Sequence, residues 1–168
     1  MPQNTLFLCT GNSARSLIAE GILRHRGGTD FNAFSAGSMP TGAPNPFALA
    51  VLQEMGIDTG FARSKTWDEF TGDKFSGDKF SGAVVPVMDL IITVCANAAG
   101  ETCPIWPGHP STAHWGVPDP AAVAGSDADK RAAFAVTFDQ MSRRVDALLA
   151  LGPDSHDRAK VQAIGMME

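Results

Sequence analysis

The chain has 168 residues, of which 44% are hydrophobic, and it carries a formal net charge of -5. This is about the length of one domain with a full hydrophobic core. Binding of nucleic acid without sequence preference needs a basic face that displaces counterions from phosphates, so the acidic balance argues against a nucleic-acid partner. No apolar stretch reaches membrane-spanning length and the N-terminus lacks a secretory signal pattern, so we expect a cytoplasmic protein with no membrane contact.

Strands and helices alternate in the first part of the predicted structure. The apolar run at residues 6–8 predicts a strand, and residues 14–26 carry apolar side chains at helical spacing. Residues 31–36 predict a second strand, and residues 47–55 predict a second helix that ends before Gly56.

Two further strands and a long helix are predicted in the second part. The strand over residues 90–94 runs into Cys95, and a weaker strand fits residues 112–115. Residues 127–151 predict the helix, since their apolar side chains recur with a helical period.

Two segments stand apart from this alternation. Residues 73–77 are repeated at once as residues 78–82, so residues 71–82 predict a surface loop extended by a small duplication. Residues 152–168 are polar with few apolar side chains, which predicts a loosely ordered tail. We therefore expect one catalytic domain over residues 1–151.

The order of the strands decides which side chains meet. Strands separated by helices pair in parallel through right-handed crossovers, which predicts an α/β fold with a four-stranded parallel sheet flanked by helices. In a flavodoxin-like order the first and third strands are neighbours at roughly 5 Å, so Cys9 and Cys95 would lie close together. The sequence does not fix this order.

The chain contains three cysteines, Cys9, Cys95 and Cys103. In a cytoplasmic protein cysteines are more naturally thiols than a disulfide framework, and the odd number favours the same interpretation. The four histidines show no spacing to the cysteines that is typical of a zinc site. We expect no metal and no cofactor.

A loop of small polar residues follows Cys9, and an arginine lies close behind it. Between a strand end and a helix start, such a loop turns its N–H groups inward to bind an anion, and the helix dipole assists. Arg15 can then close on a tetrahedral oxyanion with its fork of donors, and the pKa of the Cys9 thiol is expected to be low enough for a thiolate. The predicted oxyanion-binding residues, called here the oxyanion loop, are Thr10, Gly11, Asn12, Ser13, Ala14, Arg15 and Ser16.

These residues, "CTGNSARS", resemble the C-x5-R-S signature of the low-molecular-weight protein tyrosine phosphatase fold. Other segments are similar to arsenate reductases built on that fold, and together they cover most of residues 5–150. These segments are "FSAG" at 34–37, "NPFALAVLQEMGID" at 45–58, "SKTWDEF" at 64–70, "DLIITVC" at 89–95 and the run from "CPIWPG" to "AHWGVPDPA" at 103–121. The resemblance implies the phosphotyrosine protein phosphatase I-like fold, with the four-stranded parallel sheet already expected.

The resemblance also implies roles for individual residues. Cys9 is the nucleophile, Arg15 clamps the oxyanion, Ser16 steadies the thiolate, and Asp119 is the general acid that protonates a departing oxygen. The implied substrate is arsenate, with phosphate and sulfate as competing oxyanions, and the implied role is arsenic detoxification by a monomer.

Reduction of arsenate needs two electrons, which thiols supply by forming a disulfide. The resemblance implies a relay in which arsenate joins Cys9, Cys95 attacks the Cys9 sulfur as arsenite leaves, and Cys103 then takes over the disulfide. Thioredoxin is the implied reductant, and glutaredoxin with glutathione is the second candidate.

Two other functions remain open. A phosphatase needs only the nucleophile, the clamp and the acid, although Ala121 and Ala122 follow the acid and the chain has no tyrosine to stack on an aromatic substrate. The other alternative is a non-catalytic module that binds an oxyanion or a partner.

One departure from the family pattern concerns a cation. Some relatives bind potassium near the oxyanion loop through an Asn, a Glu, a Ser and an Asp. Asn12, Glu20 and Ser35 match, whereas Lys65 stands at the aspartate position. We expect the Lys65 ammonium to replace that cation and to steady Glu20 and Asn12.

Overall fold

The computed structural model describes residues 1–71, 86–95, 106 and 109–167. Its sheet has four parallel strands in the order β2-β1-β3-β4, which confirms the flavodoxin-like order. The strands are β1 (Gln3–Cys9), β2 (Phe31–Gly37), β3 (Leu90–Thr93) and β4 (Ser111–His114). In the register of the central pair Leu8 lies opposite Thr93, so β1 and β3 end together at one edge of the sheet.

Helices α1 (Arg15–Arg26), α2 (Pro46–Glu54) and α3 (Asp127–Ala150) fall close to their predicted positions. The start of α2 is set by Asn45, whose side chain accepts from the N–H of Phe47, and by a proline in the first helical position. A capping box of Ser126 and Asp129 begins α3.

The sheet buries apolar side chains on both faces. Because successive strand residues point to opposite faces, Phe7 and Cys9 belong to one buried cluster, which includes side chains of α1, α2 and α3. Leu6 and Leu8 belong to the other, smaller cluster. The thiol of Cys9 therefore lies on the face of the sheet from which α1 starts.

The C-terminal segment is not the loosely ordered tail that we expected. A 3₁₀ turn over Gly152–His156 leads into a fourth helix, α4 (Arg158–Ile164). Two of its few apolar side chains, Val161 and Ile164, are buried in the larger cluster, because they pack where β4 forms the edge of the sheet. The duplicated loop at residues 73–82 lies outside the described residues. Among the helices that are described, none is both long and apolar enough to cross a membrane.

Candidate active site

The oxyanion loop begins at the carboxyl end of β1 and runs into the first turn of α1. Ala14 caps this helix without a side-chain hydrogen bond, so the first N–H groups of α1 are not capped by that side chain. A helix start of this kind attracts an anion, because its orphan donors and the helix dipole act together.

The carbonyl groups of the loop face a second segment, residues 38–45, called here the flanking loop. A trans peptide points its N–H away from its carbonyl, so these bonds turn the N–H groups of Gly11, Asn12 and Ala14 to the other side. The carbonyl oxygens accept from backbone N–H groups as follows: Thr10 from Met39 at 3.0 Å, Gly11 from Thr41 at 3.0 Å, and Ser13 from Asn45 at 2.8 Å.

The last residue of β2 lets the oxyanion loop approach the sheet. A Cβ atom on Gly37 would lie 2.4 Å from the carbonyl oxygen of Thr10 and 2.9 Å from that of Cys9. Both distances are far below van der Waals contact, so only glycine fits. The sequence motif "FSAG" therefore ends in a residue that the loop requires.

Asn12 organises the loop from inside. Its φ angle is 46°, a left-handed conformation that asparagine tolerates better than most residues. Its side-chain N–H₂ donates to the hydroxyls of Ser16 and Ser35, both at 2.9 Å, and its side-chain oxygen accepts from the backbone N–H of Lys65 at 2.9 Å. The buried amide thus ties the loop to α1, to β2 and to the backbone at Lys65, just before a 3₁₀ turn over Trp67–Phe70.

A buried ion pair lies behind this amide, as the sequence predicted. Lys65 Nζ lies 3.8 Å from Glu20 Oε2 and 3.4 Å from Ser35 Oγ, and it donates to the carbonyl of Arg63 at 2.9 Å. Ser35 Oγ also donates to Glu20. Burial lowers the pKa of Lys65, and the Glu20 carboxylate opposes that shift. The ammonium lies beside Glu20, as we expected, whereas Lys65 contacts Asn12 through its backbone N–H.

The structure brings Cys9 and Cys95 together. Both are buried free thiols, they share a hydrogen bond, and Thr10 Oγ1 lies 3.7 Å from Cys95 Sγ. The contact follows from the β1–β3 pairing, in which the two strands end side by side. The two thiols are far apart in sequence and adjacent in space.

The pKa of Cys9 is shifted in the direction opposite to the one that we expected from the sequence. The pKa of the Cys9 thiol is raised, first by its hydrogen bond with Cys95 and second by burial. The positive charge of Arg15 and the backbone N–H of Thr10 lower the pKa but do not outweigh those causes. The loop alone favours a thiolate, and the contact with the second thiol reverses the balance.

Arg15, at the start of α1, forms an ion pair with Asp119. Arg15 Nη2 lies 3.7 Å from Asp119 Oδ2, and Arg15 Nη1 donates to the carbonyl of Val117 at 3.1 Å. The Asp119 carboxyl is 43% exposed, and its Oδ1 accepts from the N–H of Ala121 at 3.0 Å. The Asp119 carboxyl is thus open to solvent beside the guanidinium of Arg15.

Some predicted features are not described, and some supporting residues were missed. Cys103 lies outside the described residues. Within the described ranges no three His, Cys, Asp or Glu side chains group as metal ligands do. Contacts of the flanking loop and of Ser64 with the oxyanion loop were not predicted from the sequence; the Ser64 hydroxyl donates to the Gly11 carbonyl at 3.0 Å. The Gly- and Pro-rich composition of residues 38–45 could have indicated a loop beside the oxyanion loop, since it directly follows β2.

This geometry defines a class of α/β proteins that hold a tetrahedral oxyanion over a cysteine at the end of a parallel strand. Sequence comparison is in agreement, since the family model of the low molecular weight phosphotyrosine protein phosphatases matches residues 4–162. The chain belongs to this family.

Known relatives include enzymes with two different activities. An arsenate reductase of Bacillus licheniformis is 37% identical over 146 residues, which are 87% of this chain and 94% of that protein. A thioredoxin-dependent arsenate reductase of Corynebacterium glutamicum has a TM-score of 0.60 at 23% identity, covering 89% of this chain and 61% of the other. A low molecular weight protein tyrosine phosphatase from T. tengcongensis has a TM-score of 0.62 at 23% identity, covering 88% and 98%. The last two show the common fold alone.

Proposed function

We propose that the chain is an arsenate reductase that converts arsenate to arsenite with electrons from its own thiols. The observation that carries this proposal is the contact between Cys9 and Cys95 beside the oxyanion loop. Hydrolysis of a phosphoester needs one nucleophile, whereas reduction of arsenic(V) needs two electrons, which two thiols supply as they become a disulfide. The 37% identity to an arsenate reductase supports the same activity.

Arsenate binds in the oxyanion loop. The N–H groups that face away from the flanking loop and the fork of Arg15 neutralise its charge. Phosphate and sulfate have the same tetrahedral shape and compete for the same donors. The site recognises charge and shape before any chemistry takes place.

Cys9 then attacks the arsenic atom as the nucleophile. The thiol passes its proton to an oxygen of the bound arsenate that stays on arsenic, and the charge of Arg15 assists this loss. A sulfur–arsenic bond forms, an arsenic–oxygen bond breaks, and the departing oxygen leaves as water with a proton from Asp119. Ser16, which accepts from Asn12, is the proposed donor that steadies the thiolate.

Reduction takes place when Cys95 attacks the sulfur of Cys9. A disulfide forms, the sulfur–arsenic bond breaks, and arsenite leaves with the electron pair of that bond. Cys95 is already in contact with Cys9, so the attack requires little movement. The thiol pair loses two electrons and arsenic gains them.

Cys103 completes the relay by attacking Cys95, which frees Cys9 for the next turnover. The resulting disulfide is then reduced by thioredoxin, or by glutaredoxin with glutathione. Thioredoxin is the first of these candidates, because Cys9, Cys95 and Cys103 resemble the three cysteines of thioredoxin-coupled arsenate reductases. The relay needs a compartment that keeps thiols reduced, as the cytoplasm does, and its role is arsenic detoxification.

A tyrosine phosphatase activity is the second candidate, because the family is named for that activity. Cys9, Arg15 and Asp119 would suffice for it. Cys95 would then have no role, and the residues after the acid offer no aromatic side chain to a phosphotyrosine ring.

Steady-state assays separate these functions. Arsenate is supplied with thioredoxin, thioredoxin reductase and NADPH, and 4-nitrophenyl phosphate is supplied in a parallel series without reductant. We expect NADPH oxidation that depends on arsenate, with slow ester hydrolysis. Fast hydrolysis without arsenate reduction would establish the phosphatase, and neither activity, with retained phosphate binding, would establish a binding module.

A further inference from the structure

Asp119 belongs to a short segment that continues from β4, residues 115–119, called here the acid loop. Strand β4 is at the edge of the described sheet, so one side of its backbone has no neighbouring strand. Helix α4 covers that side: the N–H of His114 donates to Gln162 Oε1 at 2.9 Å, and Trp115 Nε1 donates to the carbonyl of Val161 at 2.9 Å. The acid loop therefore begins at a point that α4 holds.

The contact between α4 and the start of the acid loop is close. A Cβ atom on Gly165 would lie 2.1 Å from the carbonyl oxygen of His114 and 2.8 Å from Trp115 Cδ1. The backbone of residue 165 thus packs directly against the end of β4, with no room for a side chain. Trp115 itself is fully buried in the core.

Arg144 of α3 joins the acid loop to the segment after α4. Its Nη1 donates to the carbonyl of Gly116 at 3.2 Å and its Nη2 donates to the carbonyl of Met167 at 3.0 Å. The side chain is buried, at 6% exposure, and both bonds go to backbone carbonyls rather than to a carboxylate. Desolvating a buried guanidinium costs free energy, so the contribution of Arg144 is to fix the positions of the two carbonyls with its planar fork of donors.

The two arginines bind consecutive residues of the acid loop. Arg144 binds the carbonyl of Gly116, and Arg15 binds the carbonyl of Val117. The N–H of Val117 also donates to the carbonyl of Val94, at 3.3 Å. The backbone that leads to Asp119 is thus fixed from α1, from α3 and from the end of β3.

We propose that Arg144 is a positioning residue for Asp119, and that α4 supports it by holding the start of the acid loop. The proposal rests on the proposed role of Asp119 as general acid. A carboxyl must lie within hydrogen-bond reach of the oxygen that it protonates, and displacement by about 1 Å costs a large part of the rate. Loss of Arg144 frees the carbonyl of Gly116 and lets the loop, with Asp119, move.

The test compares Arg144→Met with Arg143→Met. Methionine keeps most of the aliphatic stem and removes both hydrogen bonds, while Arg143 is an exposed neighbour on the same helix that pairs with Asp139. The substrates are 4-nitrophenyl phosphate, which has a good leaving group, and phenyl phosphate, which has a poor one. A poor leaving group depends more on protonation by the acid.

We expect Arg144→Met to slow the hydrolysis of phenyl phosphate about tenfold more than the hydrolysis of 4-nitrophenyl phosphate. An Asp119→Asn variant should change the ratio of the two rates in the same direction, since a general acid contributes about 10²–10⁴-fold to the rate. Arg143→Met should leave both rates unchanged, and Arg144→Lys, which keeps one charged donor, should restore part of the loss. Inhibition by phosphate should change by less than about twofold, because the oxyanion loop is held by other bonds. An equal loss for both substrates would overturn the positioning role.

Hydrogen exchange gives a second measurement that does not depend on activity. Backbone amides of residues 115–119 should exchange faster in Arg144→Met and in Gln162→Leu, and Gln162→Glu, which keeps an acceptor for the His114 N–H, should restore protection. Unchanged exchange in Arg144→Met would overturn the proposal. If Asp119→Asn itself left the ratio of the two rates unchanged, the proposed acid role would fail, and exchange would still decide whether Arg144 holds the loop.

Discussion

Cys95 shares a hydrogen bond with Cys9 across the pair of central strands, and this contact is the largest cause of the raised pKa of Cys9. The proposed relay uses the same contact, because Cys95 attacks Cys9 in it. If the relay holds, the pKa of Cys9 and the release of arsenite both depend on Cys95.

The first prediction separates the two thiols by function. Arsenate reduction should be lost in both Cys9→Ser and Cys95→Ser, because the first removes the nucleophile and the second removes the attacking thiol. Slow hydrolysis of 4-nitrophenyl phosphate should be lost in Cys9→Ser only. Both rates are measured on the same preparations, and arsenate turnover with thioredoxin in Cys95→Ser would contradict the relay.

The second prediction concerns the pKa of Cys9. Replacing Cys95 by alanine removes the hydrogen bond that raises this pKa, so the pKa should fall and the thiolate fraction at neutral pH should rise, by tenfold for each unit of pKa. Alkylation of Cys9 by iodoacetamide, followed by peptide mass spectrometry across pH, measures the change.

Cys95→Ser is the matched control for this experiment, because serine keeps a hydrogen-bonding group at the same place. It should lower the pKa less than alanine does. A Cys9 alkylation profile that is identical in Cys95→Ala and in the unmodified protein would show that burial alone sets the pKa.

The third prediction concerns the buried ammonium. Since Lys65 Nζ already lies beside Glu20 and Ser35, activity should be indifferent to an exchange of potassium for sodium at constant ionic strength. Lys65→Met should lower the free energy of unfolding by about 3 kcal/mol, because it leaves a buried carboxylate without this partner. Urea denaturation measures the loss. Several-fold activation of the unmodified protein by potassium would contradict the prediction.

The fourth prediction concerns the fit of the oxyanion loop to β2. Gly37→Ala should abolish phosphate binding, because its Cβ would lie 2.4 Å from the carbonyl oxygen of Thr10 and the loop would have to shift. Gly60→Ala is the control, since a Cβ there meets its nearest atom at an ordinary 3.4 Å. Titration calorimetry with phosphate compares the two variants, and equal affinities would show that the loop adapts.

The fifth prediction concerns Cys103, which lies outside the described residues. A Cys103→Ser variant should complete one turnover, accumulate a disulfide between Cys9 and Cys95, and then stall with thioredoxin. Peptide mapping after a single addition of arsenate measures the disulfide. Continued turnover of this variant would remove Cys103 from the relay.

Sequence patterns predicted the four strands and α1, α2 and α3. The small residues between Cys9 and Arg15 predict the anion site, which stays a prediction. Both are local signals, because a helical period and a strand-loop-helix boundary can be seen within a few residues.

Features that depend on distant contacts could not be predicted in this way. The pKa of Cys9 was expected to be low because its sequence neighbours favour a thiolate, and the opposing group belongs to another strand. Helix α4 is ordered because Val161 and Ile164 are buried, and their burial requires that β4 is already at the edge of the sheet. Arg144 resembles any other arginine of a long helix until the fold brings two carbonyls to it.

The bonds between the flanking loop and the oxyanion loop have a consequence for selectivity. Backbone hydrogen bonds fix the oxyanion loop independently of any bound anion. The loop therefore offers the same donors to arsenate and to phosphate, which have equal charge and the same geometry. Affinity alone therefore discriminates poorly between them. Discrimination comes afterwards, since two thiols that become a disulfide can take the bound arsenic from the +5 to the +3 oxidation state, whereas phosphorus at +5 resists this reduction. We therefore expect phosphate to be a reversible inhibitor, and redox potential to decide which element reacts.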